Sequence, residues 1–302
     1  MKTVNALIKR NTALFFKDKG MFFTSLITPM ILLVLYVSFL RNVFYDSFLM
    51  TLPEGVSVAE GLINAYVGGQ LISSILAVSC VTVSFCANMV MVQDKATSAL
   101  RDLTVSPVKP SALALGYYCS TLISTLIICL ATTAVCLAYV ASLGWYMSAT
   151  DVLMLLLDVF LLVMLGTALS SVINFFLSTE GQIAAVGSIV SSCYGFVCGA
   201  YMPISQFSEG LQRVISFLPG TYGTSLLREH CMRGAFAKMA EEGLSAEIID
   251  AVRDAVDCNL YFFGSKVPEG AKLTVLGTTV AVLVIVYILM NVLRNKRHGA
   301  RI

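Results

Sequence analysis

Charge is scarce in this chain. Only 13% of its 302 residues are Asp, Glu, Lys or Arg, about half the share of an ordinary soluble domain. Hydrophobic residues make up 57%, and mean hydropathy is +0.83. That balance describes an integral membrane protein and excludes a soluble enzyme. Histidine is scarcer still: His230 and His298 are the only two, too few for a metal-dependent or histidine-based active site. No G-x-x-x-x-G-K-[ST] run occurs, so the chain has no P-loop of its own. H-E-x-x-H and G-x-S-x-G are absent as well. Gly181-Gln182 and Gly264-Ser265-Lys266 stand alone, without phosphate-loop context. None of the nine cysteines is in a CxxC pair, which removes the case for zinc or redox chemistry. Seven of them lie in apolar runs as small hydrophobes. Cys231 and Cys258 share the one long polar segment, where they either pair or stay free according to compartment. A net charge of +2 gives no reason to expect nucleic acid as a partner.

What remains is apolar, and its pattern is helical. In residues 1–20, Val4, Leu7, Ile8, Leu14 and Phe15 fall on one side of a helix, and Lys2, Lys9, Arg10 and Lys17 on the other. A basic amphipathic helix ahead of a span lies in the membrane interface, against lipid. The apolar run 21–40 is as long as a span, and no small-x-small cleavage site follows it, so it reads as a retained helix rather than a signal peptide. Six transmembrane helices are expected, over about 22–40, 62–92, 113–141, 152–177, 183–201 and 273–293. The fold class is therefore all-α membrane protein, a single transmembrane domain over 1–302. Residues 41–61 read as a polar loop carrying Arg41, Asp46, Glu54 and Glu60. Residues 203–232 are moderately apolar and split at Pro219-Gly220, each half too short to cross, which predicts two re-entrant helices. Residues 233–272 read as a polar insertion with two amphipathic helices, one with Phe236, Met239, Ala240 and Leu244, the next with Ile248, Ile249 and Val252.

Lys and Arg cluster at the N-terminus, in the 94–110 loop (Lys95, Arg101, Lys109) and at the C-terminus (Arg294, Lys296, Arg297, Arg301). With six spans all three fall on one side, so the positive-inside rule places both termini and this loop in the cytoplasm and 203–272 outside. Few ionisable residues fall inside spans. Asp158 is the clear one: it is either an intramembrane carboxylate that relays protons or contacts cations, or a hydrated group near the outer end of its helix. Gln70, Asn88 and Asn174 suit hydrogen bonding between packed helices. Gly187, Ser191, Gly195 and Gly199 recur every fourth residue, a face that admits close approach of another helix, within the chain or from a second subunit.

The 94–116 stretch has its own pattern. Thr97–Val105 reads as a short helix with Leu100 and Leu103 on one face and Arg101 and Asp102 elsewhere. Ser106-Pro107 stops it, because a proline disfavours helical geometry in the residue before. Pro110 suits the first turn of the next helix. The physics alone allows a rigid knob between two spans or a plain loop.

These parts, in this order, resemble the ABC-2 type transporter permease family. The residues that carry the resemblance are Asp94, Lys95, Thr97, Leu100, Leu103, Ser106-Pro107-Val108, Pro110 and Gly116, with Ala96 where that pattern has glycine. A second set follows the fifth span: Pro203, Leu218-Pro219-Gly220-Thr221-Tyr222 and Leu227-Arg228, with Leu218 where asparagine is usual. The resemblance implies a non-catalytic, multi-pass plasma-membrane subunit that exports a drug, lipid or peptide-like substrate. It implies a separate ABC ATPase subunit, which binds ATP and Mg, and a second permease subunit, identical or a paralogue. This chain would bind no cofactor. The 94–110 element would be the helix that docks into the ATPase, with the N-terminal interfacial helix nearby. The alternative from another class is a stand-alone ion-coupled carrier or channel that depends on Asp158.

Overall fold

The computed structural model describes residues 2–53, 58–105 and 108–299; Ser106 and Pro107 of the proline turn, Glu54 and Arg301 lie outside the described residues. Helix α1 (Lys2–Lys17) stops where Asp18 caps the next helix, accepting from the Met21 amide at 3.1 Å. Helix α2 (Lys19–Leu35) contains Pro29, passes through one π-helical turn at Tyr36–Leu40 and continues as α3 (Arg41–Thr51). Helices α4 (Glu60–Ala87) and α5 (Met89–Ala96) form one rod nicked at Asn88. A short α6 (Ala99–Val105) precedes α7 (Pro110–Leu143), which has its proline in the first turn as expected. Helices α8 (Ala149–Phe175) and α9 (Glu180–Val197) each begin on a capping box, Ser148 with Asp151 and Thr179 with Gln182. Then come a 3-10 turn (Ile204–Gln206), α10 (Glu209–Ile215), α11 (Pro219–Glu241), α12 (Ala246–Ala255), a hairpin of β1 (Tyr261–Phe262) and β2 (Ser265–Lys266), and α13 (Glu269–Gly299).

Helix α4 is the axis. It is buried almost throughout from Leu62 to Phe85, because α2, α7, α8, α9 and α11 all pack on it. Its Asn88 amide donates to Ser170 and Ser171 of α8 at 3.0 and 2.9 Å, the helix-packing role expected of it. Gly166 of α8 makes the crossing possible, since a Cβ there would sit 2.8 Å from the Cys80 carbonyl oxygen. The outer helices leave apolar side chains uncovered, among them Ile27, Val34, Val282 and Leu289, as lipid contact demands. Five helical stretches, Lys19–Thr51, Glu60–Ala96, Pro110–Leu143, Ala149–Phe175 and Glu269–Arg294, are long and apolar enough to cross a membrane. The apolar part of α9, Gly181–Val197, is shorter, about 26 Å at 1.5 Å per residue.

Several expectations are corrected. The polar loop over 41–61 is helical through Thr51, because α3 packs on α4: Phe48 lies 4.7 Å from the Tyr66 ring and Arg41 donates to Asn64 at 2.9 Å. The second half of the 203–232 region is not short. Helix α11 runs 23 residues, about 34 Å, because Phe236 and Met239 continue its buried face past 233. The helix runs without a break through 233, where the polar insertion was expected to begin. The stripe Gly187, Ser191, Gly195, Gly199 makes no helix seam within the chain: Gly187 faces open space, the Tyr201 ring fills the room at Gly195, and Gly199 takes φ 76° beyond the end of α9. Cys231 and Cys258 are buried free thiols with no bond between them.

Candidate functional site

Chemistry concentrates in two places, one at each end of α8. At the C-terminal end, α4–α5 turns into the short α6. Ser98 makes the turn in a left-handed conformation, φ 66°, which costs a non-glycine residue about 1 kcal/mol. The helix expected over 97–105 therefore starts at Ala99. Leu100, Leu103 and Val108 lean on the body, while Arg101, Asp102 and Val105 are exposed, Val105 by 83%. Just before the turn the polar side chains point inward. Asp94 is buried and receives both ends of the Arg10 guanidinium, at 2.6 and 2.9 Å, and the Tyr117 hydroxyl at 2.6 Å. One carboxylate so ties α1, α5 and α7 together, in the bidentate geometry that gives charge-assisted bonds their strength. Lys95 donates to the carbonyls of Asn174, Phe175 and Leu177 at 2.8–2.9 Å, capping the C-terminus of α8 where unpaired carbonyls and the helix dipole favour a cation. The Arg294 guanidinium of α13 lies 4.8 Å from the Phe175 ring centroid.

Helix α1 lies along α7 through Leu7, Asn11 and Phe15. Gly116 gives it room: a Cβ there would meet the Leu7 Cβ at 2.8 Å. The polar side is less simple than the charge pattern implies. Lys9 and Lys17 are exposed, but Arg10 belongs to the Asp94 pair, and Leu14 faces away from the body.

Toward the N-terminal half of α8 lies a cluster whose members are scattered along the sequence. His230 of α11 is fully buried between two carboxylates: its Nδ1 meets Asp158 of α8, and its Nε2 meets Glu269 of α13 at 2.8 Å. Glu269 also accepts from Arg233 at 2.8 Å. Arg233 approaches Asp151 and Glu229 at 3.7 and 3.8 Å, and Arg253 of α12 donates to Glu229 at 2.6 Å. Two residues before His230, Arg228 is buried against Asp257 at 3.0 Å and donates to the Gly199 carbonyl at 2.6 Å. Lys272 of α13 donates to Ser225 Oγ at 2.8 Å and the Cys258 carbonyl at 2.7 Å. Ionised carboxylates only accept, so two of them facing the ring favour the imidazolium, which donates from both nitrogens. Burial pulls the imidazolium down, but the bonds to Asp158 and Glu269 outweigh it, and its pKa lies above the ordinary 6.5. Asp158 is thus buried and paired with His230. Its second oxygen, Oδ1, has no hydrogen bond. Among the described residues no group of His, Cys, Asp and Glu is arranged to hold a metal ion.

The remaining expected site residues are structural. Pro203 leads into the 3-10 turn and Pro219 starts α11. Tyr222 donates back to the Ser216 carbonyl at 2.7 Å, which clamps α10 to α11. Sequence reasoning misses His230 because nothing near it in the chain marks it. The run Arg228-Glu229-His230 in the middle of the moderately apolar 203–232 stretch is the one available signal.

An apolar cavity of about 440 Å³ opens between α2 and α9, lined by Leu32, Leu35, Tyr36, Phe196 and Tyr201 among others. No curated protein and no solved structure matches the chain. The family model for the ABC-2 type transporter matches residues 2–231, a stretch that holds α1, the α4–α6–α7 knob, the capped helices α8 and α9, and α11 as far as the buried His230. The chain belongs to the ABC-2 type transporter family.

Proposed function

We propose that this chain is the membrane-spanning, non-catalytic subunit of an exporter driven by ATP hydrolysis in a separate ABC ATPase subunit, which holds the ATP and Mg. In this reading α6 and both chain ends are cytoplasmic, α9 crosses as a sixth, thin span of a plasma-membrane protein, and α10 with the start of α11 re-enters from outside. A second permease subunit, identical or a paralogue, covers the open side of α2 and α9, where the apolar cavity suits a hydrophobic part of a substrate.

One observation supports the coupling role above the others. The exposed tip of α6 is joined to the bundle through residues held on several helices at once, Asp94 on α1 and α7, Lys95 on α8. A push on α6 is therefore passed to three helices besides its own rod and not absorbed by a slack loop. Asp94 and Lys95 act as fasteners in this scheme, and Arg101, Asp102 and Val105 as the docking face. The test is co-purification with the ATPase subunit and substrate-stimulated ATP hydrolysis. Asp102→Lys and Val105→Asp weaken assembly and coupled hydrolysis while leaving the purified permease monodisperse. Unchanged assembly and hydrolysis remove the assignment.

The buried Asp158–His230 pair favours a second reading, an ion-coupled carrier. Transport would then persist without any ATPase and stop in Asp158→Asn. Strict dependence on the partner's ATP eliminates it.

A further inference from the structure

The hairpin between α12 and α13 has an unusual tip. Its strands pair Tyr261 with Lys266 and Phe262 with Ser265. The two turn residues, Phe263 and Gly264, both have positive φ, 49° and 83°. Such two-residue turns favour Asn-Gly or Asp-Gly, because a bulky residue at the first position is strained. Here the strained position carries a phenylalanine whose side chain is 64% exposed. It gains no buried core contact in return. Instead it joins an edge-to-face triad: Phe262 and Phe263 at 4.8 Å, Phe217 and Phe262 at 5.4 Å, Phe217 and Phe263 at 6.0 Å. Phe217 is 65% exposed, and Val214 and Leu211 of the adjacent α10 extend the apolar patch. A patch of this kind, bare to water, marks a contact surface.

The height of the patch along the bundle says what it contacts. Leu260, directly before the hairpin, is buried in a small core with Ile204, Ile215 and Tyr222, against which Val267 and Val275 pack. Val275 lies on α13, six residues past Glu269, inside the membrane-length stretch Glu269–Arg294. That stretch is about 39 Å long at 1.5 Å per residue, against about 30 Å of hydrocarbon. Centred, it projects about three residues beyond the hydrocarbon at each end. Val275 then sits just inside the boundary between headgroups and acyl chains. The chain thus folds down beside the span before climbing back to enter it, and its aromatic tip lies at the depth where aromatic side chains are enriched. Lys266 at the base of the hairpin is exposed and paired with Asp250 at 3.2 Å.

We propose that the 261–266 hairpin, with Phe217 and the exposed face of α10, is a lipid-binding wedge that seats in the interfacial layer of the bilayer leaflet at this end of the protein. It anchors the α10–α11 pair in the membrane beside the Arg228–Asp257 and His230 clusters. The inference rests on α13 spanning the membrane, and not on the ATP-coupled reading.

The chain has a single tryptophan, Trp145, so a clean probe is available. Full-length protein carrying Trp145→Phe and Phe263→Trp is reconstituted into phosphatidylcholine vesicles. Its emission is compared in unbrominated lipid, in lipid brominated high on the acyl chain, and in lipid brominated near the chain end. The wedge predicts a loss of emission with bromine, greater for the shallow label than for the deep one, and weak quenching by iodide added to the water. Full emission in brominated lipid with strong iodide quenching places the tip in water and overturns the proposal. Emission immune to both quenchers means that protein covers the tip, a second copy or another partner, and overturns it equally. If Phe263→Trp does not fold, as judged by gel filtration, Phe217→Trp in the same background gives the same three readings.

Discussion

Replacing His230 by glutamine puts a number on the buried charge cluster. The side chain sits between Asp158, fully buried, and Glu269, which reaches the surface. Glutamine keeps the bulk and loses the charge. Glu269 keeps Arg233 and suffers little. Asp158 loses the charge that faces it, and its other oxygen makes no hydrogen bond within the chain. Stranding one member of a buried pair costs about 3–5 kcal/mol, which for a chain of this size lowers the unfolding midpoint by on the order of 10 °C. Adding Asp158→Asn removes the stranded charge and restores a large part of the loss. The pH dependence has a definite sign. The folded pKa of His230 lies above its ordinary 6.5, through Asp158 and Glu269 against the pull of burial. Its contribution is therefore complete below about pH 6.5 and fades as pH rises through the raised folded value. The charged groups that act on the ring are Asp158 on α8, Arg233 on α11 and Glu269 on α13; Asp151 and Glu229 face Arg233, and Arg253 faces Glu229. Buried free thiols, Cys231 among them, suit a thiol-reactive dye that reports melting in detergent. A variant as stable as wild type, or no rescue by Asp158→Asn, would refute the reasoning.

Two further perturbations address the α6 end. Arg10→Ala breaks a two-pronged bond to a buried carboxylate and costs about 1.5–3 kcal/mol, the range for hydrogen bonds to charged groups; limited proteolysis should cut α1 faster, and Asp94→Asn on top should recover part of the loss. Gly116→Val drives a side chain into Leu7, whose Cβ would lie 2.8 Å from the new one; overpacking of this kind costs about 1–3 kcal/mol, and Leu7→Gly added to it, which removes that Cβ, should restore part of α1 docking as read by cross-linking between α1 and α7.

Long apolar runs and few charges require helices that satisfy their own backbone in lipid, so the all-α membrane class and most spans are legible in composition and period alone. Pro110 at a helix start and the packing role of Asn88 are local chemistry, and both appear where the residues place them. Sequence patterns mislead where a partner element changes the meaning of a segment. Residues 41–51 are polar enough for a loop, but Phe48 and Arg41 find α4. Residues 219–241 are too mixed to read as one helix, but their buried face runs the whole length. Arg10, Asp94 and Lys95 read as solvent-facing or docking residues and instead are internal fasteners.

By itself, then, the sequence determined the solvent this chain lives in, the helices it forms and the absence of a P-loop, because each follows from residues close together in the chain. Only the tertiary structure decided which charges are buried, since His230 lies 72 residues from Asp158 and 39 from Glu269. A carboxylate inside a span is a liability or a site according to what stands opposite it, and what stands opposite is set by how the helices pack.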